Sequence, residues 1–245
     1  MENYHESKPE LDIVKSIKND LKKLADPKKA QKLQRFFKTE KGGYGEGDKF
    51  IGVTVPDQRK VAQKYWKAAN LLEAEKLLRS PIHSHRNTAL FILIKRFQKF
   101  SEEQKKIVEL YLKNLKFINN WDLVDLSAPH ILGAHFFDKD RATIFQLANS
   151  KNLWAQRIAI MATFHFVRRN DFSDTFKLAK KFLTHKHDLI HKAIGWMLRE
   201  IGSRDRAIAI EFLEKHYRIM PRTMLRYAIE KFPKNERKKY LEKKL

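Results

Sequence analysis

Apolar residues recur at intervals of three and four along almost the whole chain. LDIVKSIKNDLKKLA from Leu11, HRNTALFILIKRFQKF from His85, EEQKKIVELYLKNLKF from Glu102 and DTFKLAKKFL from Asp174 all carry this period, which gathers their apolar side chains on one helix face. Runs alternating apolar with polar residues are missing, as are the Asn-Gly and Asp-Gly pairs that close hairpins. The pattern predicts an all-α fold of roughly twelve to fourteen helices at a mean length of about 11 residues. Pro27, Pro56, Pro81 and Pro221 mark helix starts, where a missing N–H costs nothing.

Short helices in such number point to stacked pairs. HRNTALFILI, QRIAIMATFH, HKAIGWMLRE and PRTMLRYAIE align, with Arg86, Arg157, Lys192 and Arg222 at the same phase. The midpoint of the gap from 86 to 157 falls at Trp121, so successive spacings become 35, 36, 35 and 30 residues. A degenerate HEAT-like array is expected, an α-solenoid forming one domain over residues 1–245. One turn later stand Leu90, Asp125, Met161, Trp196 and Arg226. Equivalent positions should form a ladder along one surface, expected to be the concave binding side, with Trp121, Asp125, Arg157 and Trp196 clustered on it.

Charge narrows the partner. The 245 residues hold 51 Lys and Arg against 29 Asp and Glu, a formal net charge of +22. A folded chain this basic is expected to meet a polyanion, because each cation that neutralises a phosphate releases counterions. Nucleic acid leads, with an anionic membrane surface behind it. The absence of cysteine excludes disulfides, thiolate metal sites and a Cys nucleophile. MENYHESKPELD at the start shows no secretory signal, and no segment approaches the ~20 apolar residues of a membrane span, so a soluble, cytoplasmic protein is expected.

Within NNWDLVDLSAPHILG, from Asn119, Asp122 reads as a first-turn acid behind an Asn119 or Asn120 cap. Asp125 shares a helix face with Trp121 and has no Lys or Arg nearby in sequence. Periodicity leaves it open as a functional carboxylate or as half of a buried ion pair with an Arg. Asp122 and Asp125, three apart on one helix, lack the opposed geometry of a two-carboxylate glycosidase. Trp66 and Trp154 are expected in the core, and Ser127, outside any nucleophile elbow, is an ordinary helix residue. His185, His187 and His191 include an i, i+4 pair but no third ligand, so no metal or cofactor is expected. KGGYGEGDKFIG, from Lys41, holds five of eight glycines yet lacks the Lys-Ser or Lys-Thr of a phosphate loop, and reads as an inter-helix connection. The basic KNERKKYLEKKL, from Lys234, is either a solvated amphipathic helix or a phosphate-contacting end.

NWDLVD at 120–125, WAQRIAI at 154–160 and HKAIGWMLRE at 191–200, with FIGVTVPDQRKVA from Phe50, resemble the DNA alkylation repair family, the AlkD-like DNA glycosylases built from HEAT-like repeats. The resemblance covers nearly the whole chain. It implies that Asp125 is catalytic, that Trp121, Arg157 and Trp196 surround the lesion nucleotide, and that Arg157 holds a backbone phosphate. It also implies hydrolysis of the N-glycosidic bond of 3-methyladenine- and 7-methylguanine-type purines in duplex DNA, by a monomer without metal, on a base that stays largely stacked. A non-catalytic HEAT-like scaffold binding nucleic acid through its basic face is the alternative; a protein-binding solenoid fits the fold but not the charge.

Overall fold

The computed structural model describes residues 12–242; the opening MENYHESKPEL and the last three residues lie outside them. Among the described residues there are fourteen α-helices of seven or more residues, one three-residue α-helical turn, two three-residue 3-10 turns and one π turn. No strand occurs among them, only an isolated bridge between Lys49 and Ile82. Contacts divide the chain into two compact units, one ending at Asn120 and the other beginning at Trp121.

The first unit contains α1 (Ile13–Lys23), α2 (Pro27–Phe36), α3 (Val55–Tyr65), α4 (Leu71–Leu78), α5 (His83–Lys99) and α6 (Gln104–Lys113). Pro27 and Pro56 stand in the first turns of α2 and α3, and Pro81 lies just ahead of α5. Side-chain caps set several starts: Asp12 accepts from the Lys15 N–H, Asp26 from Lys29, and Asn70 with Glu73 forms a reciprocal capping box.

Helix α5 is buried nearly all round, although its first turns read HSHRNT. It packs against α1, α3, α4 and α6. Most of its polar groups are paired, although Ser84 Oγ, Arg86 Nε and Asn87 Oδ1 are buried without a hydrogen-bond partner. Arg86, 3% exposed, donates to Asp48, to the Ser80 carbonyl at 3.2 Å and to the Asn119 side chain at 3.2 Å. Asn87 donates to Gln58 at 2.8 Å, and His85 Nδ1 lies 2.9 Å from Ser80 Oγ. At the other end Arg96 donates to the Trp66 and Ala69 carbonyls at 3.1 and 2.9 Å and to Glu103, tying the end of α3 to α5.

The glycine-rich stretch is an inter-helix connection organised by a buried carboxylate. Asp48 accepts from Arg86 and from Asn120 Nδ2 at 2.9 Å. Its last glycine, Gly52, has φ +81°, and a Cβ there would sit 2.0 Å from the Asp26 carbonyl oxygen. Only glycine meets both demands.

The second unit contains α7 (Trp121–Ser127), a π-helical turn (Pro129–Gly133), α8 (Ala134–Phe136), α9 (Ala142–Asn149), α10 (Leu153–Val167), α11 (Ser173–Lys181), α12 (Asp188–Gly202), α13 (Arg206–His216), α14 (Arg222–Ala228) and α15 (Lys234–Glu242). Helices α7, α10, α12 and α14 pack in series, each against the next, while α9 flanks α10 and α13 flanks α12. Pro221 directly precedes α14. Helix α15, in the basic C-terminal segment, docks through Tyr240, 4% exposed, against Tyr217 and Phe232.

Burial, with the charges of Lys18 and Arg86 nearby, pushes the pKa of His85 down to about 4; burial does the same to His165, reinforced by Arg169. Between that value and the ordinary ~6.5 the unfolded chain binds more protons than the native state, so stability rises with pH across this window. Urea titrations should therefore show stability falling as pH drops from about 6.5 towards 4, with a shallower slope in His85→Gln. An unchanged slope in that variant contradicts the assignment.

Candidate active site

The carboxylate of Asp125 does have a cation, supplied from 32 residues away. Arg157 Nε donates to Asp125 Oδ1 at 2.9 Å and Nη2 to Oδ2 at 2.7 Å, a two-pronged pair that fixes the plane of both groups. The third edge, Nη1, donates to the Leu189 carbonyl, so one guanidinium joins α7, α10 and the first turn of α12. The ion pair with an Arg, one of the two readings for Asp125, forms. Its partner is invisible along α7 because it projects from a different helix.

Both side chains are largely withdrawn from water, Asp125 at 11% exposure and Arg157 at 5%. Burial pushes the Asp125 carboxyl above its ordinary range and the like charge of Asp122 adds to this, while the guanidinium pulls the other way. The carboxylate is the more accessible member of the pair.

Local sequence explains how α7 presents Asp125. Asp122 is in the first turn, as expected, and accepts from the Leu123 N–H at 2.9 Å. Ser127 is fully buried and donates to the Leu123 carbonyl at 2.5 Å, an ordinary helix residue. Beyond it the Gly133 N–H reaches back five residues to Ala128 at 2.9 Å, giving the π turn. Gly133 lies so close to α10 that a Cβ would stand 2.3 Å from the Ala162 carbonyl oxygen. Such turns recur at functional sites because they re-aim side chains.

Trp121, half-buried, opens α7 one turn ahead of Asp125. Trp196, also half-buried, packs its ring 5.6 Å from that of Phe164 on α10. Its indole N–H donates to Glu200 at 3.2 Å, and Arg204 pairs with the same carboxylate at 3.2 Å. Phe164 is seven residues beyond Arg157, and Trp196 seven beyond Leu189, so this contact lies roughly 10 Å along the helices from the ion pair. The expected surface ladder holds only in part. Asp125 and Arg157 meet directly, but Met161 and Leu90 are fully buried and Arg157 and Arg86 are core residues.

The histidines of HKHDLIH knit a turn. His187 Nδ1 accepts from the Leu189 N–H at 3.1 Å, capping α12, and His185 Nε2 lies 3.0 Å from Gln156 Oε1. Burial lowers the pKa of both. Among the described residues no group of three or more His, Cys, Asp or Glu could hold a metal ion. Trp66 and Trp154 are in the core at 8% and 9% exposure.

The family model described as DNA alkylation repair enzyme matches residues 17–232. The chain belongs to the DNA alkylation repair enzyme family. No curated protein matches it. Among solved structures it is similar to one described as a predicted DNA alkylation repair enzyme from Enterococcus faecalis, with a TM-score of 0.68 and 17% identity over 86% of this chain and 97% of that one. It is also similar to AlkD2 from Streptococcus mutans, with a TM-score of 0.53 and 15% identity over 88% and 97% of the two chains. Identities this low speak for the fold alone.

In this member of the DNA alkylation repair enzyme family, three features of the site escaped sequence reasoning. Glu200 stands four residues after Trp196, and the i, i+4 rule could have found it. Phe164 could have been found from its seven-residue offset on the face of Arg157. The Leu189 carbonyl carries no side-chain signal at all.

Removing one partner of a buried pair strands the other, at a cost of about 3–5 kcal/mol. Arg157→Met and Asp125→Leu should each lose stability of this order in urea, and the double variant should lose less than the sum by about 1–3 kcal/mol. Additive losses within about 0.5 kcal/mol would mean that the two do not interact.

Proposed function

We propose that the chain is an alkylpurine DNA glycosylase, hydrolysing the N-glycosidic bond of positively charged adducts of the 3-methyladenine and 7-methylguanine kind in duplex DNA. The observation that carries this reading is the placement of Asp125: oriented by two hydrogen bonds from one guanidinium, partly desolvated, and one helical turn from Trp121. Family membership supplies the chemical context of alkylation repair. The charge of +22 supports a polyanionic partner.

An alkylated purine already carries positive charge, so it departs as a neutral base when the bond to the sugar breaks and needs no general acid. The sugar is left cationic. A carboxylate in a weakly screened site stabilises that charge as it develops, and it orients the water whose oxygen bonds to the anomeric carbon. The proton lost from the water passes to Asp125 or to solvent. Trp121 and Trp196 offer π faces that favour a cationic nucleotide, and Arg157, beyond fixing Asp125, retains N–H groups for a backbone phosphate. The reading includes α7, α10, α12 and α14 as inner helices of HEAT-like repeats with a concave, basic DNA surface, and a monomer acting without metal. No helix among the described residues is long and apolar enough to cross a membrane.

The mutual satisfaction of Asp125 and Arg157 also favours a second reading, in which the pair is architectural and the chain is a non-catalytic scaffold that binds nucleic acid. One assay separates the two. Incubated with methylated duplex DNA, the wild-type protein should release alkylpurine bases, and Asp125→Asn should lose about 10²–10⁴-fold in rate while still binding DNA. No release above a heat-inactivated control, or equal release by Asp125→Asn, refutes the catalytic reading.

A further inference from the structure

Trp196 is held by its ring and by its polar edge. The ring packs against that of Phe164 with centroids 5.6 Å apart and an interplanar angle of 49°, and the indole Nε1 donates to Glu200 Oε1 at 3.2 Å. The backbone beside it is fixed as well, because Gly195 approaches α14 so closely that a Cβ would stand 2.5 Å from the Met224 carbonyl oxygen. Glu200 is braced in turn. Arg204 Nη1 donates to Glu200 Oε2 at 3.2 Å and to the Glu200 backbone carbonyl at 2.9 Å, so the two carboxylate oxygens serve different donors.

A Glu–Arg pair at i, i+4 is common on a solvated helix face. This one is partly withdrawn from water, with the Glu200 side chain 18% exposed and that of Arg204 27%. One of the two oxygens of this acid is given to a neutral ring, although a cation stands beside it. A carboxylate on an indole N–H does more than orient the ring. Hydrogen bonds polarise the groups they join, and they do so most where the acceptor is charged and water is scarce. Density displaced from the N–H edge moves into the ring and deepens the negative face that attracts cations.

We propose that Glu200 is a positioning residue, which orients Trp196 and, through its charge on the indole N–H, strengthens the attraction of that ring for a cationic nucleotide. The inference rests on the glycosylase reading, in which Trp196 meets the lesion nucleotide; Glu200 acts only through the indole. The probe is duplex DNA carrying one pyrrolidine sugar analogue, protonated at neutral pH, compared with the same duplex carrying the neutral tetrahydrofuran analogue. The readout is the ratio of the two affinities for the full-length protein, and wild type should prefer the cation. Glu200→Gln, which keeps an acceptor for the indole but no charge, should lower the ratio by about threefold, and Glu200→Leu, which removes both, by about fivefold. In a Trp196→Leu background Glu200→Gln should leave the ratio unchanged, which separates an effect through the ring from the direct field of Glu200 or of an unpaired Arg204. Without DNA, the indole N–H proton resonance of Trp196, identified by its loss in Trp196→Phe, should move upfield in Glu200→Leu. A ratio unaltered by both Glu200 variants, a ratio lowered equally when Trp196 is absent, or an unmoved indole resonance overturns the inference and leaves the glycosylase reading standing. A wild-type protein that binds the two duplexes equally overturns that reading and the inference with it.

Discussion

The second unit depends on a single buried charge pair. Arg157 extends from α10 to the Asp125 carboxylate on α7 and to the Leu189 carbonyl at the start of α12, so three helices that pack in series are joined by one planar group. A guanidinium this deep needs a counter-charge, and a carboxylate beside it takes two of its N–H groups at once. The first unit uses a similar device: Arg86 binds Asp48 from the glycine-rich loop and the Ser80 carbonyl.

Such a pair is not the most stable way to join two helices. Apolar residues of similar volume often do as well or better, because neither ion then loses its hydration. Its presence at Asp125 makes sense if the carboxylate also acts on a ligand, and the geometry suits that role. The acid is more exposed than its partner, rigidly oriented, and followed by a π turn that seats close against α10 through Gly133. Trp196 is fixed in a different way, by Phe164 behind its ring and Glu200 on its indole nitrogen. These contacts fix the orientation of the ring, which under the proposed function lowers the ordering cost of binding a nucleotide.

Much of this was legible in the chain. The 3.6-residue period yields the helices and the prolines their starts, whereas the spacing of 35 or so residues put Trp121 in phase with Arg157 and Asp125 with Trp196, not Asp125 with the Arg157 it pairs with. What periodicity could not assign was burial. A repeat phase says which positions are equivalent, not whether they face solvent, so Met161 and Leu90 proved to be core where a surface ladder was expected. Nor could it reveal pairing across helices: Asp125 seemed to stand alone because its partner is 32 residues away. Contacts to backbone carbonyls, such as Arg157 on Leu189 or Arg96 on Trp66 and Ala69, leave no trace in residue identity.

The central claim is that the guanidinium of Arg157 positions a carboxylate that acts on the sugar. Its most direct test is the single-turnover rate of 7-methylguanine release by Arg157→Lys, with enzyme in saturating excess over methylated duplex. Lysine keeps the charge but cannot hold both carboxylate oxygens in one plane. The account predicts a rate lower by on the order of 10²-fold at saturation, the penalty of a misplaced reacting group, with DNA affinity within a few-fold of wild type. A wild-type rate at saturation, with only the affinity reduced, would contradict it.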